Sequence, residues 1–229
     1  IITMELTVDN GSVTDASGEL VNVTTDVPRN SSWKTYIDPL REEYLNTELA
    51  TAVMPEHAGV GTDYTDDTAT GHLLTDGVRN YTDADVAMTN DTLYPSDKYA
   101  AGEEFNITRG MVTSTLSFGN QIVVVEVTGA ELRDVVKSQI TPLEMDNQYG
   151  TQTQQQLSGV TFEWVPHSNS SSPDEGDATI QDLTVNGEPV NDAATYTLAT
   201  NSYIADGGSG FPLADKPRVA VLNETTMAD

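Results

Sequence analysis

An α+β fold, with mixed sheets and flanking helices, is predicted by three features of this sequence. β-type and helical runs follow one another irregularly, without the strand–helix–strand repeat that builds a parallel sheet. One run, Ile122–Val127, is apolar almost throughout and passes directly into a helical pattern. Two Asn-Gly pairs, Asn10-Gly11 and Asn186-Gly187, lie between β-type segments, the strongest short-range signal for a hairpin.

The elements follow in chain order. "MELTVDNGSVTDASGELVNV" alternates apolar and polar residues about Asn10-Gly11 and predicts the first hairpin, which polar "TTDVPRNSS" then ends. From Trp33 to about Leu49, residues Trp33, Tyr36, Ile37, Leu40, Tyr44 and Leu45 recur at three- and four-residue spacing. That spacing predicts an amphipathic helix started or kinked at Pro39. Leu73, Leu74 and Val78 predict a short helix, followed by a buried strand at Val86–Met88. After the Ile122–Val127 strand, Thr128-Gly129-Ala130-Glu131 reads as a capping box, with Leu132, Val135, Val136 and Ile140 as one helical face. "DNQYGTQTQQQLSG" and "PHSNSSSPDEGD" read as polar loops. "ATIQDLTVNGEPV" predicts the second hairpin, and "ATYTLATNSYI" a last strand that leads into the Gly-rich "ADGGSGF".

At 229 residues the chain exceeds the usual single-domain size of roughly 100–150 residues, so one large domain or a domain with an extension is expected. Its 36 Asp and Glu against 10 Lys and Arg give a formal net charge of −26, spread along the whole length. Such a distributed acidic surface opposes compaction at low ionic strength and points to a halophilic source, where salt screens the repulsion. With no basic stripe to neutralise phosphates, nucleic acid is excluded as a partner. Absence of Cys excludes disulfides, thiolate metal sites and thiol nucleophiles. No apolar run approaches the roughly 20 residues of a membrane-spanning helix, and the start carries no signal-peptide pattern. Candidate N-glycosylation acceptors stand at Asn10, Asn22, Asn30, Asn80, Asn90, Asn106, Asn169 and Asn223, which points to an extracellular or cell-surface glycoprotein. The histidines, His57, His72 and His167, are scattered and read as surface or packing residues. Acidic pairs such as Glu103-Glu104 read as solvated surface, so neither a catalytic nor a metal site is expected within this chain.

Four motifs in fixed order carry a resemblance. "GHLLTDGVRNYTDADVAMTN", "TLSFGNQIVVVEVTGAELRDVV", "LSGVTFEW" and "TYTLATNSYIADGGSGF", covering about Asp67 to Phe211, resemble the C-terminal domain of the secreted 5′-nucleotidases and their UDP-sugar hydrolase and 2′,3′-cyclic-nucleotide phosphodiesterase relatives. The resemblance implies three parts. Residues 1–27 look like the terminal hairpin of that family's metallophosphoesterase domain, 28–62 like its helical linker, and 63–229 like the C-terminal domain. It also implies that the domain supplies nucleotide specificity, with the base between Phe118 and Tyr203 and Asn120 beside the first ring as a base contact. Asn90, Gly207, Gly208 and Ser209 complete the implied substrate-binding set. From the residues alone, Phe118 and Tyr203, beside strong β segments, read as core aromatics; the resemblance puts stacking level with that reading.

Two departures bear on the ligand. Where the family has Asn-x-Gly-Gly-x-Arg, this chain has Asn90 followed by Asp91-Thr92-Leu93-Tyr94-Pro95, so the phosphate-binding arginine is missing; Asp66 stands near the place of another. Ser209 replaces a ribose-anchoring Asp. The family's hydrolysis uses two divalent metals in an upstream domain, so metals are expected only where that domain is present. Two readings stand. One is a nucleotide- or nucleoside-binding specificity domain; the other is a degenerate member serving as a structural, filament-forming or adhesive surface module that self-associates through its N-terminal hairpin.

Overall fold

A computed structural model describes residues 2–20, 30–54, 69–90, 102–138, 140–145, 148–153, 155–165 and 179–227. The chain divides into two compact units, Ile1–Tyr44 and Leu45–Asp229. In the first, β1 (Ile2–Asp9) and β2 (Ser12–Leu20) form the antiparallel hairpin expected from the Asn10-Gly11 signal. Both turn residues have positive φ, 46° and 79°, the requirement that selects Asn-Gly at a two-residue turn. The pairing Met4↔Gly18, Leu6↔Ala16 and Val8↔Val13 gathers the apolar residues on one face. Glu5, Asp9, Asp15 and Glu19 fall on the other. Helix α1 (Ser31–Leu45) follows, capped by the Asn30 side chain, which accepts from the N–H groups of Ser32 and Trp33. Its stripe of Trp33, Tyr36, Ile37, Leu40 and Tyr44 is exposed.

The second unit is ordered as β3 (Glu48–Val53), α2 (Ala69–Thr82), β4 (Val86–Thr89), β5 (Glu104–Thr108), α3 (Arg109–Thr115), β6 (Gln121–Thr128), α4 (Gly129–Ser138), β7 (Ile140–Met145), β8 (Gln148–Thr153), β9 (Gln156–Ser158), β10 (Val160–Val165), β11 (Thr179–Val185), β12 (Glu188–Pro189), β13 (Thr195–Asn201), α5 (Ser202–Ala205) and β14 (Arg218–Thr226). Its centre is a mixed sheet in the order β14-β6-β13-β4-β9, in which only β13 and β4 run parallel. Helices cover both faces. Val123, Val125 and Val127 of β6, Val86 and Met88 of β4 and Leu198 of β13 point into one core, beneath Leu132, Val135 and Val136 of α4. Ile122 and Val124, Ala87 and Ala199 point into a second core, with Val78 of α2 and Leu116. The apolar run of β6 is thus uninterrupted because alternate side chains enter two different cores.

Some expectations change. The segment read as linker contributes β3, which pairs with β5, so the second unit begins ahead of residue 63. Helix α4 ends at Ser138, and Ile140 opens β7 rather than extending the helical face, because Pro142 disfavours helical backbone in the residue before it. "DNQYGTQTQQQLSG" is no loop: it supplies β8 and β9, and Gln155, Gln156 and Ser158 are buried. Gln155 offsets part of its burial by donating from Nε2 to the Val136 carbonyl, 2.9 Å away, while its Oε1 has no partner among the described residues. "PHSNSSSPDEGD" lies outside the described residues.

The capping box forms as its pattern predicts. Glu131 Oε2 accepts from the Thr128 N–H at 2.7 Å, and Thr128 Oγ1 accepts from the Glu131 N–H at 3.2 Å. Glu131 Oε1 also accepts from Lys216 Nζ at 3.0 Å. The Thr128 backbone N–H, and then Lys216, hold the Glu131 carboxyl below its ordinary value of 4.5, and that carboxylate with Asp215 raises Lys216 above 10.5. Glu131 therefore stabilises the fold fully above its ordinary value, and the contribution fades as pH falls through its lower folded value. Lys216 loses its contribution only in strong alkali. Glu131→Ala is expected to cost about 0.5–2 kcal/mol at neutral pH. In denaturant titrations at pH 7 and near pH 3, the gap between wild type and variant should narrow at the lower pH, and an unchanged gap would refute this account.

Candidate functional site

The topology of the central sheet brings two of the expected site residues, Asn90 and Asn120, to one end together with Asn201. β4 and β13 are parallel, so Asn90, just after β4, and Asn201, the last residue of β13, leave the sheet on the same side. β6 is antiparallel to β13, with Asn201 opposite Ile122, so the start of β6 and Asn120 before it meet them there. The C-terminal end of β14 joins this edge through Thr226, opposite Gln121, and the Met227 N–H donates to the Asn120 carbonyl at 3.0 Å.

Asn201, which no motif singled out, ties these pieces together. It is 1% exposed. Its Oδ1 accepts from the Ile204 N–H at 2.8 Å and caps α5, the turn that carries Tyr203. Its Nδ2 donates to Asn90 Oδ1 at 3.3 Å. The same side chain lines a shallow hollow with Leu116, Phe118, Gly119, Asn120 and Met227. Pattern reading passes over Asn201 because its neighbours Leu198–Thr200 are buried strand residues. The signal that could have found it was an Asn opening a helical turn, the usual N-cap preference.

Phe118 is 84% exposed, on the short loop between α3 and β6. Such exposure decides against a core role, since burying a Phe is strongly favourable and nothing among the described residues covers this one. Tyr203 is 48% exposed on α5. Its hydroxyl accepts from the Ser209 N–H at 3.2 Å and from Ser209 Oγ at 3.4 Å. Gly207 and Gly208 form the bend below it, Gly207 at φ 86°, and Ser209 lies at φ 53°. Asn201 is thus bonded to Asn90 and lines one hollow with Phe118 and Asn120, while Tyr203 joins them through the α5 turn that Asn201 caps. A larger hollow beside α2, lined by Leu49, Leu73, Val112 and Ile122 with Tyr81, Thr225 and Thr226 among others, is mostly apolar and contains none of the expected site residues.

The hollow is lined by uncharged side chains. The cation beside α5 is Arg218, whose guanidinium donates to Asp206 and to the Ala205 carbonyl. It is thus already matched by a carboxylate. Residues 91–100, which replace the family's Gly-Gly-x-Arg, and Asp66 lie outside the described residues, as do His57 and His167. His72 is half-buried on α2. Of the acceptor asparagines, Asn10, Asn30 and Asn80 are exposed. Asn106 on β5 has its amide engaged, donating to Glu48 Oε1 at 2.6 Å and accepting from Thr51 Oγ1 at 3.3 Å. Asn22 and Asn169 lie outside the described residues, and Asn223 is on β14. Among the described residues no cluster of His, Asp and Glu is arranged to hold a metal, and no helix is long and apolar enough to cross a membrane.

Residues 48–216 match the family described as 5′-nucleotidase, C-terminal domain. This chain belongs to that family. It is similar to Endonuclease YhcR of Bacillus subtilis, 24% identical over 210 residues, which is 90% of this chain and 15% of that protein. Protein UshA of Salmonella pullorum is 33% identical over 119 residues, 52% of this chain and 18% of that protein. A solved 5′-nucleotidase precursor from Thermus thermophilus superposes with a TM-score of 0.63 at 22% identity, over 99% of this chain and 45% of that one. The chain thus spans less than half the length of each of these relatives.

Removing the Asn201 amide should loosen Asn90 and α5 together. Asn201→Ala is expected to cost about 1–3 kcal/mol, the loss of a buried hydrogen-bonding group. Equilibrium unfolding measures it, and a cost below ~0.5 kcal/mol would show that the amide ties nothing together.

Proposed function

We propose that this chain is the nucleoside-recognising part of an extracellular 5′-nucleotidase-like protein, its base held against Phe118 and Tyr203 with Asn120 at the edge. One observation carries the reading: Phe118 stands almost fully exposed on a loop pinned at both ends, beside Asn120 and at the sheet edge that also leads to Tyr203. An exposed aromatic on an ordered loop costs the protein solubility and gives the fold nothing, whereas stacking a base on each ring contributes on the order of 1–3 kcal/mol. Arg218, the cation beside α5, is already paired with Asp206, which favours a ligand recognised by base and sugar, with the phosphate adding little. Hydrolysis belongs, on this reading, to an upstream metal-dependent domain of the same polypeptide. An unglycosylated Asn90 is part of it, because a sugar on Asn90 Nδ2, next to the Oδ1 that accepts from Asn201, would fill the site.

Thermal unfolding in molar salt, titrated with adenosine, AMP, UMP and a UDP-sugar, tests this. Ligand at a hundred times its dissociation constant should add about 2.7 kcal/mol. Adenosine should act as strongly as AMP, and Tyr203→Ala or Phe118→Ala should abolish the shift. No shift with any of the four would overturn the reading.

A second reading, a surface scaffold, is favoured by the hairpin, whose apolar face of Met4, Leu6, Val8, Val13 and Leu20 is exposed within its unit. It predicts concentration-dependent association lost on deleting residues 1–27, with indifference to nucleosides. The acidic surface carries a further expectation, that the protein comes from a salt-rich setting. Raising salt from about 0.1 to 1 M shortens the Debye length from about 10 to 3 Å and should raise the unfolding midpoint steadily. A midpoint that falls would argue against halophilic adaptation.

A further inference from the structure

Tyr203 is held by its own loop. A Cβ placed on Gly208 would come within 2.5 Å of the ring carbons Cε1 and Cζ and 2.6 Å of Cε2, so the ring occupies the space that any other residue at 208 would fill. At the far end of the ring the hydroxyl accepts two hydrogen bonds from Ser209, from its N–H at 3.2 Å and its Oγ at 3.4 Å. Ser209 adopts φ 53°, left-handed backbone that a residue with a Cβ rarely enters unless its surroundings fix it there. At the near end, α5 is anchored by the buried Asn201 cap. One face of the ring is therefore packed, its tip is tied, its base is capped, and the residue is still 48% exposed.

We propose that Gly208 and Ser209 are positioning residues that hold the Tyr203 ring as a preformed platform with one free face for a nucleobase. The proposal rests on the nucleoside reading given above. A ring ordered before the ligand arrives spares binding the cost of freezing its two side-chain torsions. It also explains why a tyrosine and a serine occur together here: without the hydroxyl, Ser209 would lose its acceptor, and without the Ser209 N–H in its left-handed turn, the hydroxyl would lose its main donor. Gly208 is required for a different reason, the absence of a side chain under the ring.

The test compares wild type with Tyr203→Phe, Ser209→Ala and Gly208→Ala, using adenosine as the probe and Tyr81→Phe as a control outside the site. Tyr203→Phe keeps the stacking surface and removes only the tie, so adenosine affinity should fall about three- to ten-fold. Ser209→Ala should fall less, since the backbone donor stays, and the double variant should be no worse than Tyr203→Phe alone. Gly208→Ala should weaken binding more than ten-fold by displacing the ring. If that variant does not fold, Tyr203→Phe carries the test. Carbon-13 relaxation of labelled tyrosine rings in the ligand-free protein supplies a readout that stability alone would not move. Tyr203 should be ordered in wild type and more mobile in Ser209→Ala, while Tyr81 is mobile in both. Adenosine binding that is unchanged in Tyr203→Phe would overturn the proposal. So would a wild-type Tyr203 ring as mobile as that of Tyr81. A wild type that binds no adenosine but keeps an ordered Tyr203 ring would instead refute the nucleoside reading and leave the positioning device standing.

Discussion

The structure of the second unit depends on the burial of β6 on both faces. A strand whose successive residues are Ile122, Val123, Val124 and Val125 cannot turn one face to water, so the sheet around it must be covered twice. Helix α4, emerging directly from β6 through the Thr128–Glu131 capping box, covers one side; α2 covers the other. Complete β6 between β14 and β13, place β13 parallel to β4, and the ends of three strands are forced together. The candidate site is a consequence of that packing. Asn90, Asn120 and Asn201 are far apart in sequence and adjacent because the register of the sheet leaves them nowhere else to go.

What the sequence discloses is what local physics dictates. The two Asn-Gly turns require positive φ, the capping box pairs reciprocal groups three residues apart, and β6 carries its burial in its composition; all three were legible without coordinates. β14 was not. Its stretch Arg218–Thr226 follows Pro217 and mixes exposed valines with polar residues, so it reads as an ordinary tail, yet it forms seams with β6 that close one side of the sheet. β8 and β9 were missed for the opposite reason. Glutamines and threonines look like loop, and a buried glutamine such as Gln155, just ahead of β9, is tolerable only with a tertiary partner, here the Val136 carbonyl. The same division runs through the site. Phe118 and Tyr203 were visible as aromatics in motifs, although their exposure was not. Asn201 lay inside the last motif without being singled out, because its role is defined by what it joins.

Electrostatics sets the limits on the ligand. With a formal charge of −26, the protein's field repels an anion at long range and repels itself. In dilute buffer both effects are large. In molar salt the Debye length is about 3 Å, so repulsion beyond contact vanishes and so does any steering by charge. Recognition must then come from groups within touching distance. Stacked rings, amide edges and backbone donors keep their strength under these conditions, whereas an exposed arginine would be largely screened. A site built from Phe118, Tyr203, Asn120 and Asn90, with its neighbouring Arg218 already paired to Asp206, is the kind of site that such an environment leaves open. On the reading proposed here, the loss of the family's phosphate arginine and the acidic surface are therefore one adaptation rather than two. On that reading, the charge that would keep the fold soluble in salt would also shift recognition from phosphate to base.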